Sequence, residues 1–197
     1  MSKELTFFVM LAKPLVQWKA QSALPTNVKD VLAMLALAQV ADETGWNLDN
    51  VLARPPAHNM SGIKFHLPKY GAISEDTFED KNGERVPMVA EFQIYPDAAA
   101  WFEDYISIQT SSLAVMNAIP LGWEAACDAL GPWTADDHAR MDATPPEAPL
   151  HSNYATDPQY STTLKEIIAE WHLDDPRALP WYASGASLAT EPDFASL

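Results

Sequence analysis

From Val28 to Trp46 the chain reads VKDVLAMLALAQVADETGW, and this stretch decides the fold. Val28, Val31, Leu32, Leu35 and Ala38 follow one another at helical spacing, which predicts a helix with a continuous apolar face. Ala33, Ala36, Ala38 and Ala41 carry almost no side chain, so neighbouring elements can approach this helix closely. Leu24-Pro25-Thr26-Asn27 supplies a stop followed by N-cap candidates, and Thr44-Gly45 supplies the other end, with Gly45 able to take the left-handed C′ position. The last turn carries an acid, Glu43, between Asp42 and Trp46. An acid near a helix end is ordinarily a solvated surface group. Here, however, it stands at the negative pole of the helix and near an indole. Both favour its protonated form, the state a general acid needs.

Working outward, Phe8, Leu11, Leu15 and Trp18 give residues 5–20 helical spacing, with Pro14 expected to kink or break the helix. Residues 47–69 read as a short helix and loop, interrupted by Pro55-Pro56 and Pro68. The period then changes to two. Thr77-Phe78-Glu79, the Asn82-Gly83 pair and the alternation of Val86, Met88, Ala90, Phe92 and Ile94 predict a β-hairpin, with Pro87 confined to an edge or a bulge. A strict two-residue turn pairs Glu79 with Val86 and puts a carboxylate on the apolar face, where a cleft would explain it. Helical spacing returns at 96–109, around 123–130 and from Ser161, where Leu164, Ile167, Ile168 and Trp171 fall on one face. Residues 131–150 read as a polar, proline-bearing loop. The expected architecture is α+β and mostly α: one domain over 1–173 with a hairpin lobe inserted into a helical core, then an extension over 174–197.

Composition narrows the function. The 197 residues are 48% hydrophobic and 20% charged, which is globular rather than disordered, and enough chain to bury a core without covalent staples. A formal charge of −15 disfavours a nucleic-acid ligand. Cys127 is the single cysteine, so an intrachain disulfide and a cysteine zinc site are excluded. Phe7–Ala12 is too short an apolar run for a membrane span and lacks the flanks of a Sec signal peptide. The expectation is a protein made in the cytoplasm that reaches its place of action by another route. Phosphate-binding glycine loops, HExxH spacing and a GxSxG elbow are all missing. His58 and His66 are read as loop histidines, and Cys127 as a buried thiol. No metal or cofactor is expected, and the chemistry is left to carboxylates.

Several motifs then resemble one family in the right order. Leu24-Pro25, Ala38-Gln39 and Glu43-Thr44-Gly45-Trp46 resemble the LP, AQ and E-S-G-W entry of the bacterial glucosaminidase domain, family 73 of the glycoside hydrolases. Asn59-Met60-Ser61-Gly62-Ile63-Lys64 resembles its N-L-F-G-I-K. Thr77-Phe78-Glu79 with Glu91-Phe92-Gln93-Ile94-Tyr95 resembles its T-x-E and F-R-x-Y hairpin, and Tyr154 to Tyr160 resembles its Y-A-T-D-P-x-Y. Departures are Thr44 for Ser, Met60-Ser61 for Leu-Phe, Asp80 for Tyr, and a longer segment before Tyr154.

The resemblance implies a lysozyme-like fold whose cleft takes the glycan strand of peptidoglycan, the bond being the β-1,4 link on the reducing side of N-acetylglucosamine. By the same resemblance Glu43 matches the general acid, Glu79 the hairpin carboxylate and Tyr154 a catalytic-site tyrosine. Trp46, Asn59, Tyr95 and Tyr160 are taken as substrate-binding candidates. Two acids flanking a sugar suit an inverting mechanism, while the N-acetyl group also allows a substrate-assisted one. A muramidase, or a non-catalytic wall-binding or virion or flagellar assembly protein of the same fold, are the alternatives. Without a Sec signal, the biology expected is a delivered antibacterial toxin, such as a type VI secretion effector acting on a target cell's wall, with a cognate immunity protein as partner.

Overall fold

The computed structural model describes residues 3–46, 52–81, 84–143, 145–152, 154–155 and 157–174. Helix α2 (Thr26–Thr44) is its axis: every residue from Val31 to Ala41 is buried, on all sides of the helix. A helix apolar all round can be satisfied only by being surrounded. Helices α1 (Lys3–Gln21), α3 (Ala98–Ser111), α5 (Trp123–Asp128) and α7 (Tyr160–Glu170) pack around it. The alanines of α2 are what let them close in, and Leu32, Leu35, Trp101, Tyr105, Leu164 and Ile168 form the tightly buried centre.

Helix α1 runs continuously through Pro14, so of the kink or break expected there the break does not occur. Burial of Phe7, Leu11 and Leu15 on its inner face outweighs the roughly 3 kcal/mol that an internal proline costs. At the far end of α2, Gly45 adopts φ +55°, and its N–H and that of Trp46 return to the carbonyls of Asp42 and Ala41. This is the Schellman closure expected from Thr44-Gly45. Trp46 also has a positive φ of 62°. Its ring is wedged between Phe7 at 5.2 Å and Trp171 at 5.3 Å, which holds the strained backbone in place.

The hairpin forms as an isolated two-stranded antiparallel sheet, β1 (Ala72–Lys81) with β2 (Glu84–Gln93). Its register pairs Ile73 with Phe92, Thr77 with Met88 and Glu79 with Val86, as a two-residue turn requires. Residues 82–83, the turn itself, lie outside the described residues. Pro87 pairs with Phe78 inside the ladder. In a two-stranded sheet both strands are edges, so the missing N–H is tolerated. Ala90 and Phe92 are buried on the inner face, and Val89 is exposed on the outer one.

Two expectations require correction. Residues 52–62 are a succession of turns rather than a helix; the part of that expectation falling on 47–51 lies outside the described residues. Asn59 holds this segment, donating from Nδ2 to the carbonyls of Ile63 and Gln93 and accepting from the Ile63 N–H. The 131–150 segment is not simply a loop, because it contains α6 (Ala135–Met141). Thr134 and Asp137 form a reciprocal capping box that starts it. A further short helix, α4 (Leu113–Ala118), and a 3₁₀ turn (Ile119–Leu121) connect α3 to α5. The extension expected over 174–197 lies outside the described residues except for Asp174.

Candidate active site

Between the C-terminal end of α2 and the hairpin is an open cleft of about 510 Å³. Glu43 and Thr44 from α2, Asn59 to Lys64 from the turn segment, Thr77 and Phe92 from the hairpin, and Tyr154 from the segment before α7 line it. The cleft therefore has an acid on the helical side and the sheet's inner face opposite.

Glu43 is exposed by area, because the cleft is open above it. Protein nevertheless crowds its remaining sides, and that crowding governs its ionisation. Loss of hydration is the main reason its pKa is pushed up to about 7, with the charge of Asp42 second. Asp42 is itself raised, by burial and then by Asp157. An acid poised near neutrality in a groove can both give and recover a proton.

Tyr154 is half-buried at the cleft wall. Burial first and the Glu43 carboxylate second raise its phenol pKa, while the polar side chains of Ser61 and Gln39 oppose the rise. Its ring stacks on Tyr160, 6.1 Å away. Among the candidates read from sequence, Glu43, Asn59 and Tyr154 thus come together on one cleft. For Glu79 the backbone register is described and the side chain is not.

Three substrate-binding candidates stand elsewhere. Tyr95 is fully buried, and its hydroxyl donates to Asp104 at 2.5 Å. Tyr160 is buried beneath Tyr154, where its oxygen accepts from Gln39 Nε2 at 2.8 Å. Trp46 is spent on the wedge between Phe7 and Trp171. Tyr95 and Tyr160 are buried with their hydroxyls paired to protein, and Trp46, only partly buried, packs its ring against two other aromatics. Asn59 reaches the cleft floor, but its amide is committed to backbone.

Sequence reading missed Gln93, Ser61 and the role of Gln39. Gln93 is fully buried, and its amide accepts from the N–H groups of His66 and Leu67 and donates to the carbonyls of Leu67 and Gly71. It thereby pins the segment leading into β1. A glutamine at an inward strand end was the available signal. Cys127 is buried, and burial pushes its thiol up to about 12, so it remains an inert packing group. Among the described residues no group of three His, Cys, Asp or Glu side chains could hold a metal ion, and no helix is long and apolar enough to cross a membrane.

A helix-borne acid facing a β-hairpin over an open groove, on a helical core, defines a lysozyme-like glycoside hydrolase domain. The model of the glucosaminidase family, described as mannosyl-glycoprotein endo-beta-N-acetylglucosaminidase, matches residues 25–173, and the chain belongs to that family. An autolysin of Enterococcus faecalis is 28% identical over 147 residues, covering 75% of this chain and 18% of the relative. The peptidoglycan hydrolase FlgJ of Salmonella typhimurium is 28% identical over 170 residues, covering 83% and 45% respectively. The chain thus spans less than half the length of these curated relatives. The C-terminally truncated glycoside hydrolase domain of the Salmonella FlgJ matches with a TM-score of 0.56 at 25% identity, over 87% of this chain and 98% of that one. The catalytic domain of the autolysin Auto from Listeria monocytogenes matches with a TM-score of 0.62 over 88% and 86%, at 18% identity, a likeness of fold.

Proposed function

We propose that this domain hydrolyses the glycan strand of bacterial peptidoglycan at the β-1,4 bond on the reducing side of N-acetylglucosamine. The observation that carries the reading is Glu43, seated in the cleft with its pKa pushed up to about 7. Its proton goes to the leaving O4 as the C1–O4 bond breaks; water supplies hydroxide to C1 and the remaining proton returns to the acid. The relatives named for autolysis and peptidoglycan hydrolysis support this substrate class.

Glu79 is the candidate for the second carboxylate. The reading is supported by its place on β1 two residues from Thr77, which lines the cleft, since alternate residues of a strand share a face. Tyr154 faces the reacting sugar from the third side. The wider biology we infer is delivery into a target cell, with restraint in the producer by a basic inhibitor. The charge of −15 favours a partner rich in Lys and Arg and speeds its association at low salt.

The test is digestion of purified walls, borohydride reduction and mass spectrometry of the fragments. Reduced glucosamine at the new end is expected, and Glu43→Gln should lower the rate by roughly 10²–10⁴. Reduced muramic acid would make the enzyme a muramidase, and a fully active Glu43→Gln would remove the assignment.

A further inference from the structure

Charge is sparse on the cleft wall. Among the described residues that line it, two are charged, Glu43 and Lys64, and only the first takes part in breaking the bond. A cation in the groove stands out in a chain with 12 Lys and Arg against 27 Asp and Glu.

The backbone sets where this cation lies. The 63–65 segment runs beside β2, where the Phe65 N–H donates to the Glu91 carbonyl at 3.0 Å and the Gln93 N–H donates to the Ile63 carbonyl at 2.9 Å. These two bonds flank the antiparallel pair of Lys64 and Phe92. A pair flanked in this way brings its side chains closest together, on one face of the sheet. Phe92 is buried on the inner face and lines the cleft, so Lys64 is carried onto that face as well. The Lys64 Nζ stands 4.3 Å from the centre of the Phe92 ring. Attraction between an ammonium and a ring face restrains a side chain that is otherwise rich in rotamers. The residue is exposed all the same, to the groove that it lines.

The two charges of the cleft serve different ends. An ammonium against Glu43 would pull that acid's pKa down, yet it is pushed up to about 7, so Lys64 is not its counter-ion. What a restrained, solvent-facing ammonium adds to a sugar groove is a site for an anion. It has three hydrogens to donate, so contacts with protein and with a ligand are compatible. A strand of N-acetylglucosamine alone carries no charge. Muramic acid differs from glucosamine by a lactyl ether, whose carboxyl is either free or joined to a peptide that bears carboxylates of its own.

We propose that Lys64 is a specificity-determining residue that receives a carboxylate on the lactyl arm of muramic acid, either the arm's own or one of the attached peptide. The proposal rests on the peptidoglycan reading of the cleft. It makes the groove selective for strands that contain muramic acid over uncharged strands with the same β-1,4 backbone.

The experiment measures KM, kcat and Tm for the full chain on soluble wall glycan in two forms, with peptides and stripped of them, each before and after its carboxylates are converted to amides. Amidation should raise the wild-type KM about tenfold, the worth of one hydrogen bond to a charged group at an open site. A cost on stripped strands assigns the lactyl carboxylate, and a cost confined to peptide-bearing strands assigns the peptide's. Lys64→Met should raise KM on the charged strands by the same factor, with kcat and Tm close to wild type, and should leave KM on amidated strands unchanged. Lys64→Arg should keep the preference for charge. Equal wild-type KM for charged and amidated strands overturns the proposal, and that comparison holds even if Lys64→Met does not fold. A Lys64→Met loss of equal size on charged and amidated strands overturns it too, by revealing a packing role. A Glu43→Gln protein that still cleaves refutes the hydrolase reading of the acid and not the preference for charge.

Discussion

Replacing Asp42 with asparagine should move the alkaline limb of the activity profile toward acid. Glu43 titrates at about 7 instead of 4.5, first because burial disfavours its carboxylate and second because Asp42 stands beside it. At pH 7 about half of the Glu43 population then holds the proton a general acid must give. A glutamate left at 4.5 would retain about 0.3%. The environment is therefore worth more than a hundredfold in competent enzyme at that pH. Burial is the larger cause, so Asp42 supplies less than half of the rise, and its neutralisation should lower the limb by at most about one pH unit. The rate at pH 8 should fall by up to about tenfold, while the rate at pH 5, where the acid is protonated either way, should barely change. The assay is kcat/KM across the pH range, which reports the free enzyme. The same linkage bears on stability. The folded state holds this proton more tightly than the unfolded chain, so stability should decline as pH rises from 4.5 through about 7, and Glu43→Gln should flatten that decline. A wild-type profile still at its plateau at pH 9, or a limb that Asp42→Asn leaves in place, would refute the reasoning.

Three other perturbations follow from the geometry. Glu79→Gln should reduce kcat with little change in Tm, since the position lies on a two-stranded hairpin outside the helical core; an unchanged kcat refutes its role. Asp137→Ala should cost about 2–4 kcal/mol by urea denaturation, because the buried carboxylate accepts from Thr134, Leu150 and His151. Burial pushes the pKa of Asp137 up, but these bonds prevail and hold it well below 3.8, so its contribution is complete at neutral pH and fades only on acidification below that value. Gly45→Ala should cost about 1–2 kcal/mol for its positive φ, seen as a Tm lower by a few degrees, and no loss would mean that the cap relaxes.

Much of this arrangement can be read from residues alone. The α2 stretch announces both a buried helix and its Gly45 stop, and Asn82-Gly83 with the alternation after it fixes the hairpin register. Glu43 is legible because an acid at the negative pole of an apolar helix is out of place. What escapes is whatever depends on partners distant in sequence. Tyr95 and Tyr160 look like cleft aromatics until Asp104 and Gln39 are seen to occupy their hydroxyls. Helix α6 is short and polar, so apolar spacing does not reveal it, although Thr134 and Asp137 carried the capping pattern. Gln39 is one amide within an apolar helix, and its meaning appears only when Tyr105 and Tyr160 arrive from 66 and 121 residues away.

The aromatic wedge at Trp46, three residues after Glu43, joins material from both ends of the described residues, Phe7 from α1 and Trp171 just beyond α7. The family match begins only at residue 25, so a fragment excised at that boundary would leave out α1 entirely. Such a fragment would lose the Phe7 side of the wedge and uncover the partners of Leu11, Leu15 and Trp18, including Phe102. Fusion partners and purification tags are therefore better appended ahead of α1 than substituted for it. In this architecture residues ahead of the recognisable module serve as the backrest of the turn that follows Glu43.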